Sequence, residues 1–244
     1  MERLLSISAD AKTVKGEKEG YMTGILYLAP HTLSGYEVCP KSTEGCRKAC
    51  LFYAGRGVYL NTQNARIRKT QMFFEEREAF MTMLYNNIAA LVRKAKREGF
   101  KPAVRLNGTS DIAWEKISFT INGVKYRNMM AAFPDVIFYD YCKYFRKSVK
   151  NYPNYHLTFS LSESNDSDAL KALADGMNVA VVVSTKRTEI KPSTWGGYPA
   201  IDGDINDTRF LDAAGHVILL TAKGTARKDT SGFVRDVNGG FMKL

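Results

Sequence analysis

The stretch that decides the fold of this 244-residue chain is an apolar run, Thr23-Gly-Ile-Leu-Tyr-Leu-Ala-Pro30, followed closely by Cys39-Pro-Lys-Ser-Thr-Glu-Gly-Cys46-Arg-Lys-Ala-Cys50. The first part predicts a buried strand over 24–29 that ends at the proline. The second part holds three of the four cysteines, and thiolates are the ligands of zinc and of iron–sulfur clusters. Free cysteine is also among the most buried residue types, so three core side chains are the alternative. The tight spacing favours metal or cluster binding.

The segment after the cysteines predicts one long helix. Asn61 or Thr62 can cap its start, Gly99 ends it, and apolar residues between them recur at three- and four-residue steps. Arg66 and Arg68 lie near the start, where the helix dipole disfavours cations, so a functional role for them is plausible.

Further apolar runs, separated by helical stretches, predict a parallel sheet covered on both faces. The predicted strands cover 24–29, 103–106, 136–139, 156–160, 179–183 and 216–220, with a short helix over 167–175. We therefore expect a single α/β domain over 1–244, built as a full or partial parallel barrel. Residues 1–20 are expected to form an N-terminal arm, 30–60 the cysteine loop, and 225–244 a C-terminal loop or lid.

Polar residues follow every predicted strand. Because parallel strands end at one edge of a sheet or one mouth of a barrel, these residues are expected to converge with the cysteine loop. Such residues also form turns, but their convergence with three cysteines favours a site. The candidates are Asn107, Ser110, Asp111, Asp140, Ser160, Ser162, Glu163, Ser184 and Lys223. Among them, Asp111 and Asp140 are candidate catalytic residues, since carboxylates act as nucleophiles and general bases. Lys223 is the third candidate, as a polar group near the substrate.

Composition and net charge limit which class of binding partner and which cellular compartment we expect. The formal net charge of +10 favours a polyanion, so we expect a nucleic acid or nucleotide as substrate. Four clustered cysteines do not make a secreted disulfide framework, and neither a signal peptide nor a membrane-length apolar run is evident. We expect a cytoplasmic protein without membrane contact. The sequence does not determine the oligomeric state.

Along most of its length the chain resembles the phage-encoded gene product 88 family. The resemblance rests on Met22-Thr-Gly-Ile-Leu-Tyr-Leu-Ala-Pro30, on Ser34-Gly-Tyr-Glu-Val-Cys-Pro40 with Cys46 and Cys50, and on Val104-Arg-Leu-Asn-Gly-Thr-Ser-Asp-Ile112. It implies a phage or prophage origin, hence the cytoplasm of a bacterial host, and it implies no activity.

More distantly, the layout is similar to that of radical S-adenosylmethionine (SAM) enzymes, which are partial (β/α)6 barrels. In those enzymes three cysteines after the first strand hold a [4Fe–4S] cluster whose fourth iron binds SAM. The similarity implies that Cys39, Cys46 and Cys50 are the cluster ligands. It further implies SAM contacts at Asn107, Ser110, Asp111, Ser160, Ser162, Glu163 and Arg56. The spacing here is C-x6-C-x3-C rather than C-x3-C-x2-C, so the layout alone carries this similarity.

A radical SAM-like iron–sulfur enzyme that modifies a nucleotide or nucleic acid is therefore our first expectation. One alternative is a base-exchange enzyme of the guanine transglycosylase type, which would install 7-deazaguanine in DNA, with a structural zinc and with Asp111 or Asp140 as nucleophile or base. The other is a zinc-stabilised basic nucleic-acid-binding protein without catalysis. Its fourth zinc ligand would be Cys142, His31, His156 or His216, and its base-stacking residues would be Tyr53, Tyr59, Phe73 and Phe74.

Overall fold

The computed structural model describes residues 3–7, 11–146, 151–186 and 188–242. Its contacts divide the chain into two compact units, where the sequence led us to expect one domain. The first unit comprises 1–40, 61–140 and 146–156, and the second comprises 41–60, 141–145 and 157–244.

The described chain contains six α-helices and twelve strands. In order they are β1 (Leu5–Ile7), α1 (Ala11–Lys18), β2 (Tyr21–Leu26), α2 (Glu44–Lys48), α3 (Leu60–Glu75), α4 (Arg77–Arg97), β3 (Lys101–Arg105), β4 (Phe119–Ile121), β5 (Val124–Tyr126), α5 (Met129–Ala132), β6 (Ile137–Cys142), β7 (Tyr155–Ser160), α6 (Asp166–Ala174), β8 (Asn178–Ser184), β9 (Thr194–Trp195), β10 (Tyr198–Asp202), β11 (Val217–Thr221) and β12 (Arg235–Asp236).

In the first unit the strand order is β1–β2–β3–β6. Strand β1 is antiparallel to β2, whereas β2, β3 and β6 are parallel. Helix α4 covers this sheet with a buried stripe that includes Phe80, Leu84, Ile88 and Leu91, spaced by three and four residues. A Cβ at Gly24 of β2 would lie 3.0 Å from Leu91 Cδ2, so the glycine allows the close approach of helix and strand.

Three features of the first unit differ from the sequence expectation. The expected arm over 1–20 contains β1 and α1. The single long helix is two helices, α3 and α4, because Glu76 between them leaves the helical conformation (φ −127°, ψ 51°). The hairpin β4–β5 was not predicted; Asn122 and Gly123, at φ 49° and 80°, supply its two-residue turn. The end of α4 before Gly99 (φ 78°) is as predicted.

In the second unit the strand order is β7–β8–β11–β10–β9, with β12 parallel to the end of β8. All neighbours are parallel except the short β9. The core lies between this sheet and α6, where side chains such as Phe159, Val181 and Leu173 are buried together. The expected lid over 225–244 packs on the same core: Phe241 meets the Trp195 ring at 5.0 Å, and Trp195 Nε1 donates to Asp236 O.

All six predicted strands are present, as β2, β3, β6, β7, β8 and β11, with ends shifted by at most a few residues. The fold is therefore mixed α/β with a mostly parallel sheet. The described strands of neither unit close into a ring, so a closed barrel is not observed, and a partial barrel stays a prediction. Of the described helices, none has the length and apolar character that crossing a membrane requires.

Candidate functional site

The loop after β3 is organised by Asn107. Its side-chain oxygen accepts hydrogen bonds from the Ser110 hydroxyl (2.8 Å), the Ile112 N–H (3.0 Å) and Trp114 Nε1 (3.1 Å). Gly108 lets this loop lie against the end of the neighbouring strand β2, since a Cβ there would be 2.7 Å from Leu26 O. The loop is thereby fixed in one conformation, with Asn107, Ser110 and Asp111 all buried.

Asp140 on β6 lies directly beneath this loop. The Asn107 N–H donates to its Oδ1 (2.6 Å) and the Tyr155 hydroxyl donates to its Oδ2 (3.0 Å). Burial raises the pKa of Asp140 to about 7, against the opposing effects of these two donors, Arg105 and Arg146. Burial and the neighbouring carboxylate likewise raise the pKa of Tyr155 well above its usual value of 10. Asp140 is only 1% exposed, so it can hold a proton near neutral pH but does not face solvent.

Asp111 is held by an ion pair that the sequence analysis missed. Arg146 donates to Asp111 Oδ1 (2.8 Å), to Glu115 Oε2 (3.3 Å) and to the Ile112 carbonyl (3.1 Å). All three charged side chains are at least nine-tenths buried. We call Asn107, Asp111, Glu115, Asp140, Arg146 and Tyr155 the buried polar network. The only signal for Arg146 in the sequence is a cation beside the aromatic pair Tyr144-Phe145.

Cys39 contacts the same loop. Its thiol lies 3.7 Å from the Thr109 carbonyl oxygen, and the Asp111 N–H donates to the carbonyl of the preceding Val38 (2.8 Å). The Thr109 hydroxyl in turn donates to Leu28 O. The first cysteine of the motif therefore lies at the carboxyl end of β3, as predicted.

The other two cysteines belong to the second unit. Cys46 lies on α2, where it packs against an apolar cluster of Ala49, Ala222, Ala226 and Phe233. The Cys50 sulfur accepts from the Phe52 N–H (3.5 Å). Cys39, Cys46 and Cys50 form no disulfide with one another, and all three are half-buried.

Glu163, which follows β7, caps the helix that carries Cys46. Its carboxylate accepts from the Thr43 hydroxyl and from the Gly45 N–H, both at 2.7 Å. Thr43 is itself the N-cap residue, and its hydroxyl accepts from the Cys46 N–H. These bonds hold α2 against the loop after β7.

The structure does not bring the remaining predicted residues of the second unit together through direct bonds to one another. Lys143 Nζ donates to the Ser160 hydroxyl (2.8 Å), and Lys223 forms an ion pair with Asp204 (3.2 Å). Ser162 is 0% exposed, and its hydroxyl has no hydrogen-bond partner among the described residues. The Ser184 hydroxyl donates to Arg235 O, and Arg56 is exposed on a 3-10 turn.

The thiols suit a metal or cluster in chemistry but are not assembled as one. Over the described ranges, no group of three or more His, Cys, Asp or Glu side chains could hold a metal ion. The alternative fourth ligands also have other surroundings: Cys142 is buried in the apolar core and His216 Nδ1 lies 2.9 Å from Ala214 O. Burial lowers the pKa of His156, and His31 Nδ1 lies 3.3 Å from the Thr32 hydroxyl.

A family model described as gene product 88 matches residues 3–237, which is nearly the whole chain. The chain belongs to the gene product 88 family. The predicted resemblance is thereby confirmed, and with it the assignment as a phage protein, whereas the radical SAM-like barrel gains no support from this match. No curated protein matches the chain. No solved structure matches it either.

Proposed function

We propose that this gene product 88 protein is an iron–sulfur enzyme that modifies a nucleotide or nucleic acid. Cys39, Cys46 and Cys50 are its cluster ligands in this proposal, and SAM is the second cofactor. The observation that supports it is that both parts of the cysteine stretch are bonded to loops after parallel strands. Cys39 contacts Thr109 after β3, and the helix carrying Cys46 is bonded to Glu163 after β7. Ligands of α/β sheets bind at such strand ends.

The donor chemistry is suitable, since three cysteine thiols outside any disulfide are the ligand set of a cluster that leaves one iron open to a cofactor. The thiols do not form a ready-made group, so their convergence on binding is part of the proposal. The protein's own groups prepare that step: the Thr109 carbonyl orients Cys39, and Glu163 orients the helix of Cys46. The net charge of +10 supports a polyanionic substrate.

Metal analysis tests this proposal. The full chain, purified without air and reconstituted with iron and sulfide, is expected to hold about four irons and as many sulfides and to be brown. Cys39→Ala, Cys46→Ala and Cys50→Ala are each expected to lose most of that iron. Cys142→Ala is the matched control, because this cysteine is buried in the apolar core and should leave the iron content unchanged.

Two results would overturn the proposal. One is a wild-type protein that holds no more iron and sulfide than the triple cysteine variant. The other is stoichiometric zinc without iron, which would favour the zinc-containing alternatives. If zinc is found, base-exchange activity that is lost in Asp111→Asn or Asp140→Asn would indicate the transglycosylase type. A zinc protein without any base-exchange activity would indicate the nucleic-acid-binding protein.

A further inference from the structure

A group of large apolar side chains is exposed just after the cysteines. Leu51, Tyr53, Val58, Tyr59 and Leu60 all lie on the surface, with Tyr59 64% and Leu60 69% exposed. Leu51, Tyr53 and Val58 belong to two consecutive 3-10 turns, Leu51–Tyr53 and Gly55–Val58, which bury only Phe52 and Gly57. Tyr59 follows the second turn, and Leu60 begins α3. Exposed apolar patches of this kind mark interaction sites in soluble proteins.

These turns have a fixed geometry rather than a loose one. A Cβ at Gly57 would lie 2.2 Å from the Phe52 carbonyl oxygen, so the second turn closes tightly on the first. The Phe52 ring meets the Tyr53 ring edge-on at 5.1 Å. Tyr53, Arg56 and Tyr59 are therefore presented outward from a packed base.

A second basic turn, Gly224–Lys228, packs beside them within the same unit. The Thr225 hydroxyl donates to Lys48 O (2.7 Å), and a Cβ at Gly224 would lie 3.1 Å from Ala54 Cβ. Ala226 and Ala49 share one apolar cluster beneath. This packing brings the exposed Arg227 and Lys228 next to the aromatic turns. We call residues 41–60 and 223–229 the aromatic–basic surface.

The charge of this surface is strongly positive. Its sequence contains seven Lys and Arg residues and two carboxylates. The cations are Lys41, Arg47, Lys48, Arg56, Lys223, Arg227 and Lys228, and the carboxylates are Glu44 and Asp229. Glu44 is paired with Lys48 on the exposed face of α2, so it offsets only one of them.

We infer that the aromatic–basic surface binds single-stranded nucleic acid. Exposed aromatic rings beside cations are the combination by which proteins hold single strands, with bases stacked on the rings and phosphates near Lys and Arg. A duplex already stacks its bases on one another, so it cannot use the rings. Lys223 pairs with Asp204 outside these two segments, but other cations of the surface are exposed, namely Lys41, Arg47, Arg56, Arg227 and Lys228. This positive charge would disfavour a purely apolar protein partner. The inference rests on the proposed function in that it names the substrate of that enzyme.

Fluorescence anisotropy with labelled oligonucleotides tests this inference on the full chain. The probes are a single-stranded DNA, a single-stranded RNA of the same sequence, and the DNA duplex. We expect the single strands to bind more tightly than the duplex. Comparing single-stranded DNA with single-stranded RNA shows whether deoxyribose or ribose is preferred. Tyr59→Ala and Tyr53→Ala are each expected to weaken single-strand binding about tenfold, whereas Tyr59→Phe keeps the ring and the affinity.

The contribution of the basic residues to binding is tested separately, through the salt dependence of the affinity for nucleic acid. Arg227→Ala and Lys228→Ala are each expected to weaken binding to every strand and to reduce the slope of log K against log salt by about 1. Matched controls in the same unit are Ile190→Ala for exposed apolar area (98% exposed) and Lys171→Ala for exposed charge, and both should bind as the wild type does.

Equal affinity for duplex and single strand, or full affinity in both tyrosine variants, would overturn the inference. So would a stronger effect of the Ile190 and Lys171 controls than of the surface variants. The iron content of Tyr59→Ala distinguishes this failure from that of the proposed function, because the tyrosine is not a cluster ligand. If the protein binds single strands through Tyr59 but takes up no iron, the inference about the aromatic–basic surface stands and the proposal of an iron–sulfur enzyme is wrong.

Discussion

Burial in the fold changes the acid–base behaviour of Asp140. A carboxyl group with a folded pKa of about 7 binds a proton in the native state that the unfolded chain has already released above about pH 4. Its contribution to stability is therefore complete below about pH 4 and is lost as the pH rises to about 7. Above that pH the contribution no longer changes.

Asp140→Asn is expected to remove this pH dependence. An amide at that position can still accept from the Asn107 N–H and can donate to the Tyr155 oxygen, so the network survives. Between pH 4.5 and 7.5 the wild type should lose on the order of a few kcal/mol of unfolding free energy relative to the variant. Urea unfolding across this range measures it, with the exposed Asp168→Asn as control. If the unfolding free energies of the wild type and Asp140→Asn changed with pH in parallel, the raised pKa of Asp140 would be contradicted.

The residues of the buried polar network show what a sequence reveals at this scale. Asn107, Asp111 and Asp140 were found because each follows or ends a predicted strand, which is a local signal. Their roles were not found, because they depend on Arg146 and Tyr155, which are distant from Asp111 and Asn107 in sequence. A buried ion pair between residues 111 and 146 leaves no spacing or periodicity in the chain.

Helix α2 is the element on which the cysteine motif depends. It has five residues, too few to be stable alone, and its start is held by Glu163 through Thr43 and Gly45. Glu163 was expected to contact SAM; in the structure each of its carboxylate oxygens accepts a hydrogen bond from the start of this helix. It is a positioning residue for Cys46.

Glu163→Ala is expected to loosen α2. The loss of two hydrogen bonds to a carboxylate should cost about 2 kcal/mol or more of unfolding free energy, and Cys46 should be alkylated faster by iodoacetamide. Glu44→Ala on the same helix is the matched control, because its ion pair with Lys48 is exposed on both sides. Mass spectrometry of the alkylated peptides gives the rate at Cys46. An unchanged rate in Glu163→Ala would show that another contact holds the helix.

Helices and strands were predictable where their sequence pattern is long or where it forms a continuous apolar run. The run Val179-Ala-Val-Val-Val183 appears as β8, whereas β1, β9 and β12 have two or three residues and show no pattern. The break between α3 and α4 falls at Glu76, where neither Gly nor Pro marks it. The hairpin turn Asn122-Gly123 is different, since its sequence carried a recognised signal that the strand pattern around it was too short to support.

At the scale of the whole molecule, the proposed cluster should couple to folding. Its proposed ligands are Cys39, Cys46 and Cys50, so a bound cluster would close the chain segment 39–50 into a loop. Anything that binds the native state and not the unfolded chain stabilises it by mass action. Binding at a hundred times the dissociation constant contributes about 2.7 kcal/mol.

Reconstitution with iron and sulfide is therefore expected to raise the melting temperature of the wild-type chain by about 5–10 °C, since each kcal/mol shifts a protein of this length by about 2–4 °C. The measurement is thermal unfolding by circular dichroism under argon, before and after reconstitution. Cys142→Ala should show the same rise, because its thiol lies in the apolar core. The triple variant of Cys39, Cys46 and Cys50 should show none. A rise of equal size in that variant would mean that iron binds elsewhere, and the cysteines would then have only the packing role that half-buried thiols can also fill.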